Sequence, residues 1–323
     1  SEEQPSASRC NNMSVKIQDA CEALHRKPNN ANLLLSRAIL YRECGEYTKA
    51  LEDTNKAQKQ SGDSYEVWAI RHDVYIGMGD LIKAESALEK AVRFQPSNYH
   101  VLEHLGHLNY VMHNYDKSRA LYAQCMQLNP LELRYQAAVA HIELETGNYT
   151  SCLKILNTAL TNNNEWEHGF LLRALCLSQM NMHDMALKDL SYALTINPSY
   201  ANAYYCRAVQ FHDYFNQPER ALQDYTKCIA LEKKCANAYL NRGCVYKEYH
   251  KDFVRALQDF NTCLKHNPKD YKAYLNRANL FIEIKDTDNA IADLSQAISL
   301  KPDCKYAIRN LELAQRINKM RDH

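Results

Sequence analysis

Glycine is scarce in this 323-residue chain, with eight residues. Loops that cradle phosphates need glycines in short runs, and no such fingerprint occurs. GxSxG, HExxH and P-loop patterns are missing as well. No constellation of catalytic groups is marked, so the chain reads as a non-enzyme without a cofactor. A charge excess is also lacking: 39 Lys and Arg stand against 38 Asp and Glu, a net charge of +1. A basic field of the kind that holds nucleic acid is therefore not expected. No apolar run reaches the ~18 residues of a membrane span, so membrane insertion is not expected. No secretory pattern opens the residues given. Twelve cysteines are present, but no CxxC or Cys/His zinc spacing.

Proline is equally rare, with eight residues, and its placement is informative. Pro28, Pro96, Pro130, Pro198, Pro268 and Pro302 share one register, with gaps of 68, 34, 68, 70 and 34 residues. A period of 34 marks a helix-turn-helix repeat stacked on itself. The units run 31–64, 65–98, 99–132, 133–166, 167–200, 201–235, 236–270 and 271–304. The sixth and seventh are one residue longer. Their insertions are expected in the turns between paired helices, near Asn216–Glu219 and Lys251–Val254.

The same slots recur in each unit. The fourth is large, as in Leu34, Trp68, Leu102, Phe170, Tyr204, Tyr239 and Tyr274, with Gln136 the exception. The eighth is small, as in Ala38, Gly106, Ala140, Ala174, Ala208, Gly243 and Ala278, with His72 the exception. The eleventh is often aromatic, and Asn109, Glu143 and Leu177 depart from that. Two further small slots lie seven residues apart in the second helix, from Ala50 and Ala57 to Ala290 and Ala297. A small residue at a crossing lets two helices approach, and a large neighbour fills the gap. Cys125, Cys152, Cys228 and Cys263 occupy small slots and read as buried, unpaired thiols. A reduced, cytoplasmic setting fits them.

Over eight units this pattern resembles the tetratricopeptide repeat family. The resemblance implies an all-α, right-handed α-solenoid. It would have a partial repeat helix at 13–30, eight repeats and a capping helix at 305–323, after a frayed start at 1–12. With no initiator Met, the array is expected to continue upstream in a longer parent. In that family the first helices line a concave groove through positions 2, 5, 6, 9, 12 and 13.

Transferred to this chain, position 6 of the last three first helices holds Asn241, Asn276 and Asn310. Asn202, Asn237 and Asn279 lie on the same face. An Asn amide offers an acceptor and two donors, enough to pair with a peptide unit. The column is similar to the asparagine ladder of the O-GlcNAc transferase repeat domain. Lys272 and Arg309 are expected to read an acidic group, and Tyr205 and Tyr306 to give apolar contact. A carboxylate clamp of the chaperone-binding kind finds only Asn241 and Lys272 in place, so it is not expected. Secondary groove candidates are His100, His104, His107, His141 and His168; peptide contact is the expected role, not metal binding. Cys206 and Cys244 map to the groove, where faster thiol reaction is expected. Arg37, Arg71, Arg173, Arg207, Arg242 and Arg277 recur at position 7 and are expected to be structural, with Asp189, Asp224, Asp259 and Asp293 as candidate partners.

The function expected is a scaffold that holds an extended peptide or a helix of a partner protein in the groove. The alternative is a targeting module of an enzyme elsewhere in a larger parent chain. Self-association is a third reading.

Overall fold

The computed structural model describes residues 7–321. It contains eighteen α-helices and, among the described residues, no strand. The chain forms two compact units, one ending at Asn148 and the other starting at Tyr149. Unit 1 contains α1 (Ala7–Arg26), α2 (Ala31–Glu43), α3 (Tyr47–Ser61), α4 (Tyr65–Gly77), α5 (Leu81–Phe94), α6 (Tyr99–Val111), α7 (Tyr115–Leu128) and α8 (Leu133–Glu145). Unit 2 contains α9 (Tyr149–Asn162), α10 (Glu167–Gln179), α11 (His183–Ile196), α12 (Ala201–Val209), α13 (Pro218–Leu231), α14 (Ala236–Val245), α15 (Phe253–His266), α16 (Tyr271–Glu283), α17 (Thr287–Leu300) and α18 (Lys305–Arg321).

Within each unit, helices pair as hairpins, and the second helix of one pair packs on the first of the next. The start of α1 differs from expectation. It begins at Ala7, inside the stretch read as frayed. No Gly or Pro follows Pro5 there, so nothing stops the helix from extending backward; residues 1–6 lie outside the described residues.

The small slots are buried as the packing argument requires. Ala38, Ala50, Ala57, Ala186, Ala208, Ala256 and Cys263 are all sealed from solvent. At Gly243 a Cβ would sit 2.8 Å from the Phe260 ring, so the α14–α15 crossing leaves no room for a larger residue. Exposed helix starts are capped by Asn30, Ser64, Asp80, Asn98, Asp252, Asp270 and Asp286, whose side chains accept from the first-turn N–H groups.

Position 7 makes a recurring staple. Arg37 pairs in bidentate fashion with Asp53, Arg173 with Asp189, Arg207 with Asp224, Arg242 with Asp259, and Arg277 with Asp293, all at 2.7–2.9 Å. Each guanidinium also reaches the second helix of the preceding pair: Cys21, Asn157, Ser191, Thr226 and Asn261, respectively. One side chain thus ties three helices together, which is why this stripe is structural and not an anion site.

The inserted residues sit elsewhere than the sequence reading put them. In the regular pairs, one residue after the first helix adopts a left-handed backbone: Gly45, Gly79, His113, Gly147, Asn181 and Lys285. The N–H one residue later returns to the carbonyl of position 11, as in Glu46 to Tyr41 at 2.8 Å and Asp286 to Phe281 at 2.8 Å. In the two longer units the left-handed residues are Asn216 and Lys251, and the closing bonds run from Gln217 to Phe211 and Asp252 to Tyr246. The extra residue is therefore absorbed upstream, in π-helical turns at Gln210–Tyr214 and Tyr246–His250. The closing turn depends on one left-handed residue and one fixed bond, so the looser ladder of the helix end takes up the insertion.

Candidate functional site

The asparagine row and its expected flanking residues lie in unit 2, on α12, α14, α16 and α18. The structure joins them into two clusters. Asn241 donates to the Tyr205 hydroxyl at 3.3 Å. Asn310 donates to Asn279 Oδ1 at 3.0 Å, and Asn279 donates to the Tyr306 hydroxyl at 3.2 Å. Asn276 turns its amide N–H back to the Lys272 carbonyl at 3.0 Å. Asn241, Asn276 and Asn310 are half-buried, whereas Asn202, Asn237, Lys272 and Arg309 are exposed.

Each amide of the row uses one N–H internally. Asn276 and Asn310 keep one N–H and Oδ1, the pair needed to meet a peptide group, whereas Asn241 also faces the Tyr225 hydroxyl. The two tyrosines differ. Tyr306 is 55% exposed and presents its ring to solvent. Tyr205 is half-buried, and burial pushes its hydroxyl up to about 12, so it stays protonated and orients Asn241 instead of offering an open ring.

A neighbouring row escaped the sequence reading. Position 13 holds Asp213 and Glu248 in the π-helical turns after α12 and α14, and Glu283 at the end of α16. His212 stands 3.4 Å from Asp213 and 4.0 Å from Glu248, and Lys247 stands 3.6 Å from Glu283. Reading down that column would have found it. Beneath lies Tyr225, fully buried, its ring 6.1 Å from that of Tyr205.

The histidines do not form one group. His100 lies against Tyr99, with ring centroids 4.3 Å apart, and His104 stacks on His72 at 6.5 Å. His168 meets the Tyr200 hydroxyl at 2.7 Å in unit 2. His107 and His141 share a cavity in unit 1. Desolvation holds His141 below the usual histidine range, with Glu145 opposing. Among the described residues no three His, Cys, Asp or Glu side chains converge on a metal position.

Comparison with known proteins gives the family of two segments. The tetratricopeptide repeat model matches residues 66–98 and 271–304, one segment in each unit. Those segments are tetratricopeptide repeats. A comparison with curated protein sequences finds no match. Among solved structures, the chain is similar to a tetratricopeptide repeat protein from Parabacteroides merdae, with a TM-score of 0.59 at 20% identity over 78% of this chain and 98% of that one. It is also similar to a chain of the APC/C hetero-tetramer Cut9–Hcn1, with a TM-score of 0.64 at 16% identity over 92% of this chain. Against that second structure it spans 58% of the matched chain. At these identities the likeness shows a shared fold. A stack of tetratricopeptide repeats is a protein-interaction scaffold in general.

The cysteines follow this repeat frame. Cys125, Cys152, Cys228 and Cys263 are buried, as their small slots require. Cys206 and Cys244 are half-buried, more open than the small-slot thiols, and burial pushes both up to about 12. The thiol favoured as thiolate is Cys235, which the sequence reading did not single out. It occupies the N-cap position of α14, where the neighbouring Cys228 thiol lowers its pKa. Among the described residues no helix is long and apolar enough to cross a membrane.

Proposed function

We propose that unit 2 binds an extended segment of a partner protein along the row Asn241, Asn276 and Asn310. The observation that carries this reading is the half-engaged state of the amides. Three successive first helices put an Asn in one slot, each anchored by an internal N–H bond, with Asn276 and Asn310 using one donor only. Main-chain pairing of this kind is indifferent to side-chain sequence. Selectivity would come from the flanks. Lys272 and Arg309 are exposed cations suited to an acidic side chain, and the Tyr306 ring is suited to an apolar one. The scaffold acts without chemistry of its own, and its preformed row lowers the ordering cost of binding. A reducing, cytoplasmic compartment belongs to the same proposal, because every described cysteine is a free thiol.

The test is capture of partners from native lysate by the full chain and by the triple variant Asn241→Ala, Asn276→Ala, Asn310→Ala. Calorimetry with the captured segment then measures both. Each lost amide bond is worth about 0.5–1.5 kcal/mol, so affinity should fall roughly tenfold to several hundredfold. Thermal unfolding should be nearly unchanged, since the row lies outside the packing slots. Equal affinity for both proteins would reduce the row to a solvated helix face.

A further inference from the structure

A cavity of about 350 Å³ opens in unit 1 among α6, α7 and α8. Its origin is a local loss of side-chain volume. Positions 5 and 6 of α8 are Ala137 and Ala138, where α10 buries Leu171 and Leu172 in the same slots. Imidazoles of His107 and His141 and the ring of Tyr110 form walls, and Arg134 also borders the space.

The floor is Tyr122 of α7, only 6% exposed. Its slot holds Thr54, Leu88, Leu156, Leu190, Tyr225, Phe260 and Leu294 in other second helices, so packing there is met with or without a hydroxyl. That hydroxyl has no hydrogen-bond partner among the described residues, and burial pushes its pKa up to about 12, so it remains an O–H at neutral pH.

The charged groups around the cavity are already paired or hydrogen-bonded, and carboxylates outnumber cations there, with Glu103, Glu132 and Glu145 against Arg134. Arg134 is held by Glu103 at 3.2 Å and Glu132 at 3.8 Å. The Glu145 carboxylate accepts from the hydroxyls of Tyr110 and Tyr115. An anionic head group entering here would meet an excess of carboxylates, and a cationic one would have to displace the bonds that they already make. A wholly apolar group would leave the Tyr122 hydroxyl buried and unpaired. An aromatic ring with an N–H or O–H at its tip meets both demands, because its face packs on the ring walls and its tip reaches the floor.

We propose that this cavity receives the side chain of a tryptophan or tyrosine from a bound partner protein. It is a second recognition point, in unit 1, and does not depend on the asparagine row of unit 2.

The test uses the full chain with N-acetyl-tryptophanamide, followed through the imidazole NMR signals of His107 and His141. N-acetyl-phenylalaninamide, N-acetyl-lysinamide and N-acetyl-aspartamide serve as comparison probes. The tryptophan probe should shift both signals saturably and bind tightest of the four. Ala138→Leu, which copies the leucine of α10, should abolish the effect by filling the cavity. Tyr122→Phe keeps the packing ring, as Phe260 does in its own slot. It should weaken the tryptophan probe roughly three- to tenfold and bring it level with the phenylalanine probe. The Asn241, Asn276, Asn310 triple variant should bind the probe as the parent does. Absence of saturable binding, tighter binding of a charged probe, or full affinity in Ala138→Leu would each overturn the proposal. So would an unchanged preference in Tyr122→Phe.

Discussion

The two units solve the same packing problem in different ways. In unit 2, four successive hairpins carry the Arg–Asp staple at positions 7 and 23, from Arg173–Asp189 to Arg277–Asp293. In unit 1 only Arg37–Asp53 does so. Arg71 faces a hairpin whose position 23 is Ala87. It turns to Thr54, Asn55 and Gln58 on α3 and stacks 4.5 Å from the Trp68 ring. The next hairpin has Leu105 and Leu121 in the two slots, both buried. Matched ions and matched apolar groups are thus both stable, whereas a one-sided change must be rescued by neighbours. Unit 1 also admits polar residues where unit 2 has small, aromatic or leucine side chains. His72, Asn109 and Glu143 are all buried, and one Glu143 oxygen has no partner although Arg119 holds the other at 2.7 Å.

The largest effect should come from breaking a staple in unit 2. Arg242→Ala leaves Asp259 buried and unpaired, and should cost about 3 kcal/mol in chemical denaturation. Arg71→Ala removes bonds to neutral groups only and should cost about 1 kcal/mol. The double change Arg242→Leu with Asp259→Leu copies the Leu105–Leu121 solution and should recover most of the loss. Equal costs for the two single variants would remove the distinction between the units.

A smaller effect belongs to His72. Its Nδ1 lies 3.2 Å from the Ala84 carbonyl, and burial holds its pKa below the usual value. Asp73 at 4.0 Å and His104 are the other groups that face it. Above about pH 6.5 both folded and unfolded forms are neutral there, and stability does not depend on it. As pH falls below that value the unfolded chain takes the proton first, so stability drops until the lower folded pKa is passed. His72→Gln should flatten this part of the stability–pH curve. An identical slope in parent and variant would place the acid sensitivity elsewhere, with His141 the next group to examine.

The smallest effect concerns the closing turns. Gly45 in unit 1 has φ +75°, and Lys251 in unit 2 fills the equivalent slot at φ +53°. Gly45→Ala should destabilise and Lys251→Gly should stabilise, each by about 1 kcal/mol. Opposite signs in thermal unfolding would confirm that both units demand the same left-handed residue despite the π-helical turns.

Much of the fold could be read from residues such as Ala50, Ala57, Ala186 and Ala193. Two helix backbones cross closely only where side chains are small, so the spacing of small residues reports the crossings directly. The insertions near Pro218 and Phe253 were legible as to unit but not as to place. A sequence does not say whether a helix end or a turn yields more easily. The asparagine row was legible as a column, whereas its bonding to Tyr205, Tyr306 and Lys272 was not, since side-chain partners come from other helices or from the rotamer adopted.

The amino-acid order by itself determined the period, the helix pairs and the slots that must be small, because these follow from local spacing and volume. Tertiary structure alone decided which polar groups were satisfied. It gave the position-7 arginines their aspartates, raised the thiols of Cys206 and Cys244 while lowering that of Cys235, and left the Tyr122 hydroxyl open to a cavity. Those outcomes depend on desolvation and on atoms contributed by neighbouring helices, which no single stretch of sequence contains.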